Sequence, residues 1–133
     1  MHGSIFTRLG AAGFLASAWP PSPQNTVAFA WVKGSGLPLF PDDIRSQMGM
    51  GKWTRAEFEQ CLFATRGAPK RLNADVRQAI IEPRREHSRK PDCVYGRIER
   101  LVAGPYLEMF ARVAKPGWDA WGNQVGKFGE VAA

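Results

Sequence analysis

Pro91-Asp92-Cys93-Val94-Tyr95-Gly96-Arg97-Ile98-Glu99-Arg100-Leu101-Val102-Ala103-Gly104-Pro105-Tyr106-Leu107-Glu108-Met109-Phe110-Ala111-Arg112 decides the fold. A proline in the first turn with an acid beside it is the chemistry of a helix start, because the early N–H groups lack internal partners and carry partial positive charge. Val94, Ile98 and Leu101 then recur at helical spacing, flanked by Tyr95 and Val102, which gives one apolar stripe. Gly104-Pro105 stops the helix. The run from Tyr106 is apolar and reads as a buried strand carrying one carboxylate, Glu108. A helix that feeds directly into a strand is half of an α/β crossover unit, so the chain is read as α/β.

Working outward, the residues just before the helix, Arg84-Arg85-Glu86-His87-Ser88-Arg89-Lys90, form a basic cluster. Beyond Pro116-Gly117, Trp118-Asp119-Ala120-Trp121-Gly122-Asn123-Gln124 reads as a strand end followed by a ligand-facing turn, and the residues from Lys127 read as an unstructured tail. Upstream, Thr26-Val27-Ala28-Phe29-Ala30-Trp31-Val32 is a continuous β-branched and aromatic run, the pattern of a strand buried on both faces. Phe58-Glu59-Gln60-Cys61-Leu62-Phe63-Ala64-Thr65 resumes strand character and is closed by Arg66-Gly67-Ala68-Pro69. Between these two strands, residues 34–52 form a long loop without a clear period, and loops of that kind are usually functional or disordered. Residues 75–82 read as a helical turn running into a short strand at Ala79-Ile80-Ile81.

The 133 residues suffice for one domain, since single cores typically occupy about 100–150 residues. Lys and Arg outnumber Asp and Glu by 18 to 12, for a formal charge of +6. That balance favours polyanionic partners through phosphate attraction, although charge alone does not require them. With only Cys61 and Cys93, a disulfide framework is not expected, and a reducing cytoplasm is the expected compartment. No run approaches the ~20 apolar residues of a membrane span. Residues 1–25 are poorly defined: Arg8 followed by Leu9-Gly10-Ala11-Ala12-Gly13-Phe14-Leu15-Ala16-Ser17-Ala18 loosely mimics a secretory signal, and a weakly docked N-terminal helix is the preferred reading.

Several side chains invite chemistry. Lys90 precedes a helix N-terminus, where its ammonium and the free N–H groups would converge on an anion; a solvated loop lysine is the plain alternative. Glu108 must have a partner, because an unpaired carboxylate in an apolar strand is expensive to desolvate. An acid at a strand's carboxyl end commonly accepts from ribose hydroxyls, and a salt bridge to Arg112 or Arg100 is the alternative. Asn123 and Gln124 offer paired donors and acceptors for an adenine edge or a ribose, or are ordinary surface amides.

Taken in order, His87-Ser88-Arg89-Lys90-Pro91-Asp92, then Tyr95 and Ile98-Glu99-Arg100-Leu101, then Leu107-Glu108-Met109-Phe110-Ala111-Arg112, then Gly117-Trp118 and Trp121-Gly122-Asn123-Gln124, closely resemble the carboxyl half of the MT-A70 family of adenine methyltransferases. The resemblance extends upstream through residues 26–33 and through Gly49-Met50-Gly51-Lys52-Trp53, Glu59 and Leu62. It implies a partial Rossmann-like methyltransferase sheet flanked by helices, in an incomplete domain over residues 26–126, with 127–133 as a tail. Roughly four or five strands are expected to survive, with edges open to pairing with a second copy or a complementing subunit.

The resemblance also implies roles. Lys90 would hold the carboxylate of S-adenosylmethionine, and Glu108, Phe110, Arg112, Asn123 and Gln124 would surround its ribose and adenine. Lys33, Trp53, Arg84, Arg85, His87 and Arg89 would lie near the nucleic acid, the arginines on phosphates and Trp53 stacking on a base or buried as an ordinary core residue. DNA is expected over RNA, because the His-Ser-Arg-Lys-Pro-Asp form resembles the bacterial and phage members more. The family's Asp-Pro-Pro-Trp motif does not occur in the 133 residues; Trp19-Pro20-Pro21 has the wrong order and lacks the acid. No catalytic residue is therefore assigned and no metal is expected. Three readings follow: a family member inactive alone, one part of a complemented enzyme, or a non-enzymatic nucleic-acid-binding module built on residues 66–90.

Overall fold

A computed structural model describes residues 4–7, 12–16, 26–35, 45–46, 52–65, 69–86 and 89–129. In chain order the elements are β1 (Ser4–Thr7), β2 (Ala12–Ala16), β3 (Thr26–Ser35), β4 (Arg45–Ser46), β5 (Phe58–Thr65), β6 (Ala79–Glu82), α1 (Cys93–Leu101), β7 (Tyr106–Met109) and β8 (Trp118–Trp121). The strands form one sheet in the order β4-β3-β5-β2-β1-β7-β8, with β6 also paired to β3. The β3/β6 and β7/β8 pairs are parallel; the remaining pairs are antiparallel. This is the α/β arrangement expected from the helix-to-strand unit and is compatible with the partial Rossmann-like sheet that the resemblance implies, although α1 is the single helix among the described residues.

Strand β3 is buried chiefly on one face. Phe29 and Trp31 alternate into the core while Ala28, Ala30 and Val32 are half-buried, because α1 covers only one side. A bulge between Val27 and Phe29 sets Phe29 opposite Cys61 and Trp31 opposite Glu59, and Ile80 pairs with Trp31 from the other flank. Val94, Tyr95, Ile98 and Val102 of the helical segment close over them together with Val113 and Trp118. Ile98 is wholly buried, and a side chain of that size contributes roughly 1.5–3 kcal/mol by leaving water. Leu101, the third residue of the expected stripe, packs at the margin of this cluster.

Both ends of α1 are tied down, the first by the preceding loop and the second by distant chain. At its start, Asp92 makes no side-chain cap; its carboxylate instead takes Arg85 at 2.5 Å. At its end, Leu101 O accepts from Leu72 N at 2.9 Å and Arg100 O accepts from Asn73 Nδ2 at 2.7 Å. Carbonyls that the last turn leaves without internal donors are thereby satisfied. Arg97 Nη1 also donates to Arg77 O and Ala79 O, each at 2.6 Å. The segment before β6 is thus strapped to the helix and carries no helical turn of its own, since Gln78 is held by β3 through Ala30 N to Gln78 O and Gln78 Nε2 to Val27 O.

Three expectations are corrected. Residues 4–7 and 12–16 are strands rather than a docked helix. Glycine and aromatic residues disfavour helix there, and pairing supplies partners for β5 and β7, which would otherwise carry an open edge. The described sheet consequently has eight strands, more than expected. Finally, residues 127–129 are not loose: Phe128 N donates to Arg112 O at 3.1 Å and Ala114 N to Gly129 O at 3.3 Å, while the Phe128 ring packs against the core. Among the described residues no helix is long and apolar enough to cross a membrane. Both cysteines are free.

Candidate cofactor and nucleic-acid site

The parallel pairs and the helix share one end of the sheet. Strands β3 and β6 run side by side toward it, and β5, being antiparallel, begins there, with Phe58 opposite Val32. Residues 52–57, which precede β5, are exposed at that same end. Lys90, just before α1, pairs with Glu59 of β5. Tyr95, in the first turn of α1, reaches Glu108 near the carboxyl end of β7, beside the carboxyl end of β8. Carboxyl ends of parallel strands gathered around a helix N-terminus are where α/β folds bind ligands.

On the β3 side, Glu59 lies between two lysines, accepting from Lys33 Nζ at 2.9 Å and from Lys90 Nζ. Both ammonium groups also lie over the Trp31 ring, at 5.5 and 5.9 Å from its centroid. Burial raises the Glu59 carboxyl, but the hydrogen bonds and charges of Lys90 and Lys33 outweigh it, so the group titrates below its ordinary range. Lys90 is therefore not a bare cation waiting for an anion. Its partner was missed in the sequence, although Glu59 is an acid inside an apolar strand and the reasoning applied to Glu108 would have flagged it.

The basic cluster is also partly neutralised. Arg85 pairs with Asp92, and Arg89 meets Glu86 at 3.2 Å and Asp92 at 3.8 Å while lying over the Phe128 ring. Arg89 Nε and Asp92 Oδ1 are buried without a hydrogen-bond partner. Arg84 is exposed, and His87 lies outside the described residues. Trp53 is 93% exposed, which overturns its reading as an ordinary buried tryptophan.

On the β7 side, Glu108 is half-buried, and burial raises its carboxyl against a smaller lowering by its hydrogen bond to Tyr95. Tyr95 donates from its hydroxyl to Oε2 at 2.8 Å. Of the guanidinium partners expected from sequence, Arg100 pairs instead with Asp75 on the surface, while Arg112 is half-buried, with its backbone carbonyl accepting from Phe128 N. Just past β7, Phe110 adopts φ 59 and meets Trp121 edge-on at 5.4 Å. Ala111 N donates to Trp121 O at 3.0 Å, so the chain after each parallel strand is locked to the other. Asn123 and Gln124 follow at once, both exposed in the turn. The structure thus brings Glu108, Phe110, Asn123 and Gln124 to one strand-end cluster, with Trp121 as an apolar surface that sequence reasoning had not assigned to the ligand.

Comparison with known proteins agrees with the motif order. Residues 26–124 match the MT-A70 family. Over 101 residues the chain is 38% identical to an N(6)-adenosine-methyltransferase MT-A70-like protein of Arabidopsis thaliana, covering 71% of this chain and 14% of that protein. Over 99 residues it is 37% identical to the human N(6)-adenosine-methyltransferase catalytic subunit, covering 71% of this chain and 16% of that one. A shorter stretch of 28 residues, 21% of this chain and 6% of the relative, is 61% identical to a human N(6)-adenine-specific methyltransferase. The chain therefore spans only a small part of the length of these relatives.

Proposed function

The chain belongs to the MT-A70 family, and we propose that it forms the S-adenosylmethionine side of an enzyme that methylates the exocyclic amine of adenine in nucleic acid. The observation that carries this reading is the cluster at the carboxyl ends of β7 and β8. Its donor set fits the cofactor: Glu108 has Oε2 engaged by Tyr95, so Oε1 is left to accept ribose hydroxyls. Asn123 and Gln124 supply amides for the adenine edge. Phe110 and Trp121, 40% and 57% exposed, supply apolar surface for its ring. Lys90 would receive the cofactor's carboxylate by sharing its three N–H donors with Glu59. The bound cofactor would supply an electrophilic methyl group.

Lys33, Trp53, Arg84, Arg85, His87 and Arg89 would line the approach of the nucleic acid. An exposed indole is suited to stacking on an extruded base, and guanidinium groups to phosphates. DNA is the proposed substrate, on the form of His87-Ser88-Arg89-Lys90-Pro91-Asp92; the relatives named for adenosine make RNA the necessary comparison. The action is placed in the cytoplasm, with residues 26–126 as the working domain, self-associated or joined to a complementing subunit. Because Asp-Pro-Pro-Trp does not occur in the 133 residues, no residue here is assigned to hold the amine.

The expected result is heat of S-adenosylmethionine binding in calorimetry with about millimolar ligand, that is, only about −4 kcal/mol or somewhat better, and no tritium transfer from labelled cofactor to adenine-containing DNA or RNA by this chain alone. No heat would remove the cofactor reading; tritium incorporation would show that a catalytic group lies among these residues. A second reading, a nucleic-acid-binding module, is favoured by the exposed Lys70, Arg71, Arg77 and Arg84 side chains. Single-stranded DNA and RNA binding should weaken with salt, with a log–log slope of about −0.7 per phosphate neutralised. A flat salt dependence would make these residues structural, and tighter binding of RNA would reverse the DNA preference.

A further inference from the structure

Tyr95 is 5% exposed, and a phenol so placed needs a partner for its hydroxyl. That partner is Glu108 Oε2 at 2.8 Å. The ring has little freedom. It stands edge-on to Trp118, with centroids 5.0 Å apart and planes at 86°. Trp118 is stacked on Tyr106 at 4.7 Å, and its Nε1 donates to Glu99 Oε1 at 2.6 Å. The same oxygen accepts from Lys115 Nζ at 3.0 Å, and that ammonium lies over the Tyr95 ring. Helix α1, β7 and β8 therefore fix the hydroxyl through a chain of packed rings and one ion pair. Glu108, by contrast, is held by β7 only through its backbone, and its side chain has three rotatable torsions.

We infer that Tyr95 is a positioning residue: by holding Oε2 of Glu108 it aims the remaining carboxylate oxygen at a vicinal diol, so that the site selects a ribonucleoside-type ligand over its deoxy counterparts. This rests on the reading of Glu108 as the ribose acceptor. A pre-aimed acceptor loses less side-chain freedom on binding than a free one. The hydrogen bond also partly offsets the burial that disfavours the ionised form, and the ionised form is the stronger acceptor for the hydroxyls of the diol.

The test uses the full chain and calorimetry with S-adenosylhomocysteine and its 2′-deoxy and 3′-deoxy forms, for wild type, Tyr95→Phe, Glu108→Gln and the double variant. Tyr95→Phe keeps the ring packing. It should weaken binding of the ribose ligand by roughly five- to tenfold, shrink the preference over the deoxy forms, and lower the melting temperature by only about a few degrees, the cost of leaving Oε2 of Glu108 without its donor. The acid limb of binding should move to higher pH, because removing the contact that lowers the Glu108 carboxyl lets burial raise it further. In the Glu108→Gln background, Tyr95→Phe should add nothing. Wild-type affinity and discrimination in Tyr95→Phe, or additive losses in the double variant, would overturn the inference while leaving the ribose role of Glu108 intact. Unchanged affinity in Glu108→Gln, or a wild-type chain that binds none of the three ligands, would defeat that role and the inference with it. Should Tyr95→Phe unfold, carboxyl NMR titration of Glu108 in Trp118→Phe, where the indole support is lost, reads the same coupling; an unmoved titration would count against it.

Discussion

Glu59→Gln is expected to lower the folding stability by roughly 2–4 kcal/mol at neutral pH, a large effect for one conservative substitution. The carboxylate lies between Lys33 and Lys90, whose side chains are only 16% and 20% exposed. Glutamine would leave two poorly hydrated ammonium groups facing each other across a neutral amide, on the strand that sets the β3/β5 register. The acid dependence follows from the sign of the shift. Glu59 titrates below the ordinary 4.5, so its contribution is fully present above that value and is lost as pH falls through the lower, folded value. Denaturant unfolding should therefore show a wide gap between wild type and Glu59→Gln at pH 7 that narrows in strong acid. A gap below about 1 kcal/mol at pH 7, the range of a solvated surface pair, would show that water screens the cluster.

The same cluster shows how far local sequence can be read. Phe58–Thr65 matches its expected bounds because a stretch of strand character ended at the turn residues Arg66-Gly67-Ala68-Pro69, and α1 lay between Pro91 and Gly104 for equally local reasons. Lys90 and Glu59 are 31 residues apart, and nothing in either neighbourhood names the other; their meeting depends on β5 running antiparallel to β3 while α1 packs across both. Glu108 was legible as an acid needing a partner, yet Tyr95 was not chosen over the nearby arginines. The choice is made by the crossover from α1 to β7, which returns the first turn of the helix to the strand's carboxyl end. The strands at 4–7 and 12–16 were hidden for a related reason. The residues there carry no clear alternation of apolar and polar side chains, and the strands are fixed by the backbone groups of β5 and β7 that they pair with.

The other large effect is expected at Gly122, where the two parallel strands are locked together beyond their carboxyl ends. Gly122 has φ +154, and a Cβ built on it would lie 3.0 Å from Phe110 Cα and 3.1 Å from both Ala111 N and Phe110 C. Those are backbone atoms, and they cannot turn aside as a side chain would. Phe110 is itself in the left-handed region, at φ 59, and Ala111 N is committed to Trp121 O. Alanine would therefore add an unfavourable φ to a backbone clash, for a cost of roughly 2–4 kcal/mol. The loss of affinity for S-adenosylmethionine should exceed what the residual folded fraction explains, because Asn123 and Gln124 follow immediately and Phe110 forms the facing wall. Gly117 provides the control. It also has a positive φ, +81, but meets nothing within 4 Å, and it precedes β8 at the opposite end of the sheet. Gly117→Ala should cost about 1–2 kcal/mol of backbone strain and leave affinity untouched. Equal losses of stability in the two variants would mean that the contact at Phe110 yields easily. Equal affinities, with Gly122→Ala still folded, would mean that the turn after β8 does not hold the cofactor.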